Sequence, residues 1–134
     1  MPQGSADIGL QNFAQPIAVV KAELFKALGH PARIRILEVL GDGERSVGDI
    51  QPLVGIEASH LSQQLAILRR AGLVTARKEG SSVIYAVKDP LVSDLLAVAK
   101  RLLINSLSET QDLLADLRAA TDAASPAPTG GRRG

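Results

Sequence analysis

Between Glu57 and Val74 the chain reads EASHLSQQLAILRRAGLV, and the side chains able to do chemistry fall on one side of it. A helix is expected here, ending at Gly72 and running directly into a strand. Leu61, Leu65 and Leu68 stand at i, i+4 and i+7 and share one face, with Ala58 and Gly72 projecting to the same side. Ser59, Gln63 and Arg70 stand on the opposite face. Ser62 and Arg69 lie at one flank of it and His60 at the other. Hydroxyl, amide and guanidinium groups on such a face donate to and accept from base edges and phosphates. The plain alternative is an amphipathic surface helix with a solvated polar side. Nucleophilic catalysis is a poor fit. Ser59, His60 and Ser62 are close in sequence, but successive helix residues point apart and no buried acid is evident.

Composition narrows the classes. The chain has 134 residues, 46% hydrophobic and 22% charged, which suits one globular domain with a modest core. Lys+Arg is 15 against Asp+Glu 14, a net charge of only +1, so any basic footprint must be local. Aromatic residues are 2%, too few for the stacking platforms that single-stranded nucleic acids use. With no cysteine there is no disulfide, thiolate metal site or thiol redox sensor. His30 and His60 are the only histidines, and Asp89, Asp94 and Glu109 are carboxylates without imidazole partners, so neither a metal site nor any other cofactor is expected. No apolar run spans a membrane and no secretion signal opens the chain; a cytoplasmic location is expected.

The elements that position this helix follow from pattern. Residues 1–15 contain Pro2, Gly4 and Gly9 and are read as a disordered arm. A helix is expected from Pro16 to Gly29, with Val20, Leu24, Ala27 and Leu28 as its stripe. His30-Pro31 restarts the chain in extended geometry. From Ala32 to Leu40 apolar residues cover most of a helix, which should be the buried centre. Arg33 on it suits a phosphate or a structural hydrogen bond; Arg35 suits pairing with Glu38 or Asp42. Ser46 caps a short helix bearing Val47, Ile50, Leu53 and Val54, with Pro52 expected to shorten or kink it. Two helices joined through Gly55, the second polar outside, form a helix-turn-helix. Two β-prone segments, Leu73–Lys78 and Val83–Val87, flank a Gly80 tip and form a hairpin. Arg77 and Lys78 precede that tip, and with Arg69 and Arg70 they make the one clear basic cluster, suited to phosphate contact.

From Pro90 to about Ala120 the pattern is helical again. Leu91, Leu95, Val98 and Leu102, then Leu113, Leu114 and Leu117, are too many apolar residues for so small a body to cover. A homodimer seam through Leu24, Leu91, Leu95, Val98 and Leu102 is expected. The pattern leaves open whether the helix breaks near Asn105-Ser106. Residues 121–134 are read as a disordered tail. The domain proper is thus residues 16–120, mostly α with a small β-hairpin.

The run from His30-Pro-Ala-Arg-Ile-Arg-Ile-Leu37 through Ser59–Val74 to Val83-Ile-Tyr85 resembles the ArsR/SmtB family of winged-helix repressors, over about Glu23 to Val98. The Leu68–Val74 signature after a Ser-Gln-Gln-Leu helix is the specific part. The resemblance implies a dimeric winged helix-turn-helix that binds an inverted-repeat operator in double-stranded DNA and represses transcription until an effector releases it. Its DNA-binding residues would be Ser59, His60, Ser62, Gln63, Arg69, Arg70, Arg77 and Lys78. Two departures stand out. The helix before the reading helix, Ser46–Gln51, lacks the family's metal-binding cysteines, and Ser81 follows the tip glycine where the family often has a basic residue. The competing reading is a winged helix that regulates through a protein partner without reading DNA. A third, the dimerisation domain of a methyltransferase, lacks its catalytic partner domain.

Overall fold

The computed structural model describes the backbone of residues 5–124 and the side chains of residues 16–123. Five helices and three strands follow in the order α1 (Ser5–Leu28), α2 (Pro31–Gly41), β1 (Arg45–Ser46), α3 (Val47–Val54), α4 (Ala58–Arg70), β2 (Val74–Glu79), β3 (Ser82–Val87) and α5 (Leu91–Ala124). The chain divides into two compact units after Leu96.

The first unit is built around α2, whose Ile36 and Leu37 are fully buried, with Val39 and Leu40 nearly so. Its start is set by the His30-Pro31 pair. His30 is extended (φ −143°, ψ 131°), Pro31 opens the helix, and the His30 Nδ1 accepts the Ala32 N–H at 3.1 Å. Ile36, Leu37 and Leu40 form one core with Ile50 of α3, Leu61, Leu65 and Leu68 of α4, and Leu73 and Val74 where β2 begins. Leu24 of α1 and Val92, Leu95 and Leu96 of α5 are half-buried against that core. At Gly41 an added Cβ would stand 2.9 Å from the Ser93 hydroxyl, so the small residue lets the first turns of α5 approach α2.

The hairpin pairs Val74 with Val87 through to Glu79 with Ser82, antiparallel. It gains a third strand, since β1 pairs Arg45 with Tyr85 and Ser46 with Ile84, giving the order β1-β3-β2. The expected hairpin is therefore one edge of a small sheet. A two-residue strand carries no alternation for a sequence pattern to reveal.

The ends of the chain correct the expected boundaries. Helix α1 starts at Ser5, so Ser5–Gln15 is helical where a disordered arm was expected, and Pro16 lies inside the helix. Ala6, Leu10, Gln11, Ala14 and Gln15 are good helix formers, and Gly9 alone does not end a helix. Residues 1–4 lie outside the described residues. The second unit is the rest of α5. It continues through Asn105-Ser106 without a break and ends at Ala124, four residues into the expected tail. Alanine at 119, 120, 123 and 124 sustains it, and the next proline is Pro126. The remainder of the tail, with Arg132 and Arg133, lies outside the described residues. Every residue of 97–123 is exposed, including Leu102, Leu103, Leu107 and Leu117.

Candidate nucleic-acid interface

Helices α3 and α4 are joined by three residues. Ser46 caps α3 by accepting the Asp49 N–H at 3.2 Å, as its position predicts. Pro52 sits inside an eight-residue helix, the short length expected of it. Gly55 closes α3 in left-handed geometry (φ 77°, ψ 29°), its N–H donating to the Gln51 carbonyl at 2.8 Å. The Gln51 amide donates to the Ile56 carbonyl at 3.3 Å and holds the turn. Glu57 precedes α4 without capping it through its side chain.

On α4 the leucine stripe is buried as expected: Leu61, Leu65 and Leu68 are 0%, 1% and 0% exposed. Ala58 is exposed instead of sharing their side, because the helix only begins there. Ser59, Ser62, Gln63, Arg69 and Arg70 all face solvent. The Ser59 hydroxyl donates to the Glu57 carboxylate at 2.6 Å, which leaves its oxygen as an acceptor. Ser62 and Gln63 have no side-chain partner among the described residues. Arg69 and Arg70 end the helix, where cations meet the negative end of its dipole. His60 is half-buried; its ring meets that of His30 edge-on, centroids 6.0 Å apart.

Gln64 is the residue the sequence pattern missed. It is 6% exposed and accepts from Arg33 Nη1 at 2.8 Å. Arg33 also donates from Nε to the Ala27 carbonyl at 2.6 Å and from Nη2 to the Lys26 carbonyl at 3.2 Å. Of its two candidate roles, the structure selects the structural one: Arg33 ties the end of α1 to α4. Arg35 pairs with Glu38 at 3.6 Å.

The basic cluster divides. Arg77 Nη1 and Nη2 grip the two Glu44 oxygens at 2.6 and 2.8 Å, and Nη2 also meets Glu79 at 2.8 Å. The hydrogen bonds from Arg77 hold the Glu44 carboxyl below its ordinary value and push the Arg77 pKa above the usual arginine range. An exposed arginine expected at a phosphate is thus already paired with two carboxylates. Glu79 follows two residues later on the same strand face, a local spacing, whereas Glu44 precedes β1, across β3 from Arg77, where a one-dimensional pattern gave no warning. Lys78, Arg69 and Arg70 make no ion pair among the described residues. Ser62, Arg69 and Arg70 line a groove with Tyr85 of β3, so the reading helix and the wing share one surface.

A sequence profile of the bacterial regulatory protein, arsR family, matches residues 30–76. An uncharacterised HTH-type transcriptional regulator of Mycobacterium tuberculosis, Rv0081, is 50% identical over 111 residues, 82% of this chain and 97% of the relative. The chain belongs to the arsR family. The crystal structure of that M. tuberculosis protein matches this arsR-family chain with a TM-score of 0.67 at 52% identity, over 71% of this chain and 96% of that one. A second solved structure is the homodimeric winged helix-turn-helix DNA-binding domain of Mb0332 from Mycobacterium bovis, with a TM-score of 0.66, 29% identity, and 81% and 95% coverage. The biofilm growth-associated repressor of Agrobacterium fabrum is 39% identical over 75 residues, 56% of this chain and 64% of that protein.

The fold is therefore a winged helix-turn-helix and the chain a DNA-binding transcriptional regulator, with α4 in the position of the reading helix and β2–β3 as the wing. Members of the arsR family are regulators, not enzymes. Among the described residues no three of His, Asp or Glu come together in a group that could hold a metal ion. No described helix is long and apolar enough to cross a membrane. The proposed seam residues of this family member differ in setting: Leu24 and Leu95 lean on the chain's own core, whereas Leu91, Val98 and Leu102 are 67%, 53% and 68% exposed.

Proposed function

We propose that this regulator is a homodimeric repressor whose two α4 helices read the half-sites of an inverted repeat. The observation that carries the reading is the outer face of α4. Ser62 and Gln63 are exposed and without a side-chain partner among the described residues, on a helix locked from behind by three buried leucines and the Arg33–Gln64 bond. A rigid helix presenting unsatisfied polar groups is what base-edge recognition requires. Gln63 pairs in two-pronged fashion with adenine; Ser62 serves donor or acceptor edges, Ser59 accepts from donor edges, and His60 flanks them. Arg69, Arg70 and Lys78 bind phosphates. Arg77 is assigned a different role: it fixes the wing through Glu44 and Glu79. Dimerisation through Leu91, Val98 and Leu102, with Leu24 and Leu95 beneath, sets the half-site spacing. The homodimeric relative supports the dimer, and the relative named a repressor supports repression. The chain has no cysteine, so none of its residues can sense an effector as a thiolate.

The test is a fluorescence-anisotropy titration on the operator found by footprinting the chain's own upstream region. Gln63→Ala should cost about 1–3 kcal/mol per half-site on the operator and little on a scrambled duplex. Equal weakening on both duplexes would remove Gln63 from the reading face.

A further inference from the structure

The reading helix and the wing are separated by a trough. Its walls are Ser62, Ala66, Arg69 and Arg70 of α4 on one side and Tyr85 of β3 on the other, around an open space of about 460 Å³. Ser62, Ala66 and Arg69 stand at i, i+4 and i+7, so one stripe of α4 turns toward the sheet. The small Ala66 side chain in the middle of that stripe keeps the trough open. None of the proposed seam residues lines it, so a second copy held on α5 leaves it accessible.

The charge around the trough has one sign. Arg69 and Arg70 make no ion pair among the described residues, and no carboxylate is part of its walls. The register of the hairpin extends the pattern. Tyr85 pairs with Ala76 and Val83 with Lys78, so Lys78 shares the sheet face of Tyr85. Arg77 and Glu79 pair with Ile84 and Ser82 and lie on the other face, which takes the Glu44–Arg77–Glu79 cluster away from the trough.

Tyr85 is the member with no role so far. It is half-buried, packed against the core. Its hydroxyl makes no hydrogen bond among the described residues. None of their buried side-chain oxygens lacks a partner, so this hydroxyl is open to solvent at the tip of a fixed ring. A fixed neutral O–H facing two guanidinium groups matches the two free oxygens of a phosphodiester.

We infer that this trough seats one backbone phosphate of the bound duplex, with the Tyr85 hydroxyl donating to it from the wing, Arg69 and Arg70 donating from the reading helix, and Lys78 beyond it on the same sheet face. Tyr85 is then a positioning residue. One phosphate bridges helix and wing and sets the depth at which Ser62 and Gln63 enter the groove of the DNA. The inference deepens the proposed reading of DNA and rests on it.

Tyr85→Phe removes the hydroxyl and keeps the ring. It should weaken operator and scrambled duplexes by the same factor, about tenfold per half-site. The salt slope should stay unchanged, because a neutral donor releases no counterion, whereas Arg69→Ala should lower it by about 0.9 per subunit. A methylphosphonate linkage, moved along both half-sites in step, locates the phosphate. At one linkage the wild-type chain should lose affinity, and there Tyr85→Phe should cost less than about twofold more. Tyr85 is the only tyrosine of the chain, so 3-fluorotyrosine labels it alone. Its fluorine resonance should shift on binding the operator and shift less when the methylphosphonate stands at that linkage. This readout decides the matter if Tyr85→Phe does not fold, and an unmoved resonance overturns the inference. So does a Tyr85→Phe chain that binds both duplexes like wild type, that weakens on the operator alone, or whose loss adds in full at every linkage. Gln63→Ala, titrated alongside, separates the two levels. If it relaxes specificity while Tyr85→Phe changes nothing, only the phosphate seat falls; a wild-type chain with no preference for the operator removes both.

Discussion

Successive residues of a strand point to opposite faces, so Arg77 and Lys78 leave β2 on different sides of the sheet. Read as letters they are two adjacent cations before a glycine tip. In the fold one is held by Glu44 and Glu79 and the other makes no ion pair among the described residues. What separates them is Glu44, 33 residues earlier, which no local pattern connects to the wing. They should therefore behave differently on DNA. Lys78→Ala should weaken operator and scrambled duplexes alike and lower the salt slope by about one contact, roughly 0.9 units of log K per log salt, per subunit. Arg77→Ala should leave the salt slope almost unchanged and act by loosening the wing, seen as faster amide exchange in β2 and β3. A slope that falls as far for Arg77→Ala as for Lys78→Ala would place Arg77 on a phosphate.

The same pair carries a pH dependence whose sign follows from Glu44. Its carboxyl is held below the ordinary value of 4.5 by the hydrogen bonds from Arg77. A depressed folded-state value means the contribution is fully present above the unfolded value and is lost as pH falls through the folded one. The wing clamp should thus persist at neutral pH and through 4.5, and open only in stronger acid. The Arg77 Nε–H resonance, followed by NMR in an acid titration, reports it. Release at or above pH 4.5 would contradict the clamp.

At the scale of elements, periodicity served where burial is one-sided and failed where a long-range partner decides. The leucine back of α4, the His30-Pro31 helix start, the Ser46 cap and the αL turn at Gly55 were all legible, because each is set within a few residues. Gln63 and Gln64 were not separable by type. Gln64 falls three residues after Leu61, beside the leucine stripe, and is taken inward because Arg33 waits there with a donor. Helix ends were misplaced for a related reason. A glycine inside the first segment, and the Ala, Thr and nearby Pro of the last, resemble loop composition, yet both segments propagate a helix already nucleated. The Arg33–Gln64 bond gives a prediction at this scale. Gln64→Ala leaves a half-buried guanidinium nitrogen without its acceptor and should cost about 1–3 kcal/mol, read by urea denaturation at pH 7. A loss below about 0.5 kcal/mol would mean that water replaces the amide and that the bond does not brace α4.

Over the whole molecule the net charge is only +1, so no broad field draws the chain to DNA, and in the proposed dimer affinity comes from a few placed contacts used twice. A single α4, with three cations on or beside it that make no ion pair among the described residues, offers a small surface. Two of them linked at fixed spacing turn the second contact into an intramolecular one and raise affinity by about 10²–10⁴ without any new contact. In the proposed dimer that gain rests on α5, where Leu91, Leu95, Val98 and Leu102 recur at i, i+4, i+7 and i+11 along one helix face. Leu95→Glu with Leu102→Glu places two carboxylates on that face in each chain, four across a paired seam. The doubly substituted chain should be a monomer by light scattering at micromolar concentration. It should bind the full operator no better than an isolated half-site, whereas the wild-type chain should separate the two by at least 10²-fold. Because Leu95 is half-buried against the chain's own core, Leu102→Glu alone, at an exposed position, is the control for folding. A wild-type chain that scatters as a monomer, or a substituted chain that keeps the full preference for the two-site operator, would move the seam away from this face of α5.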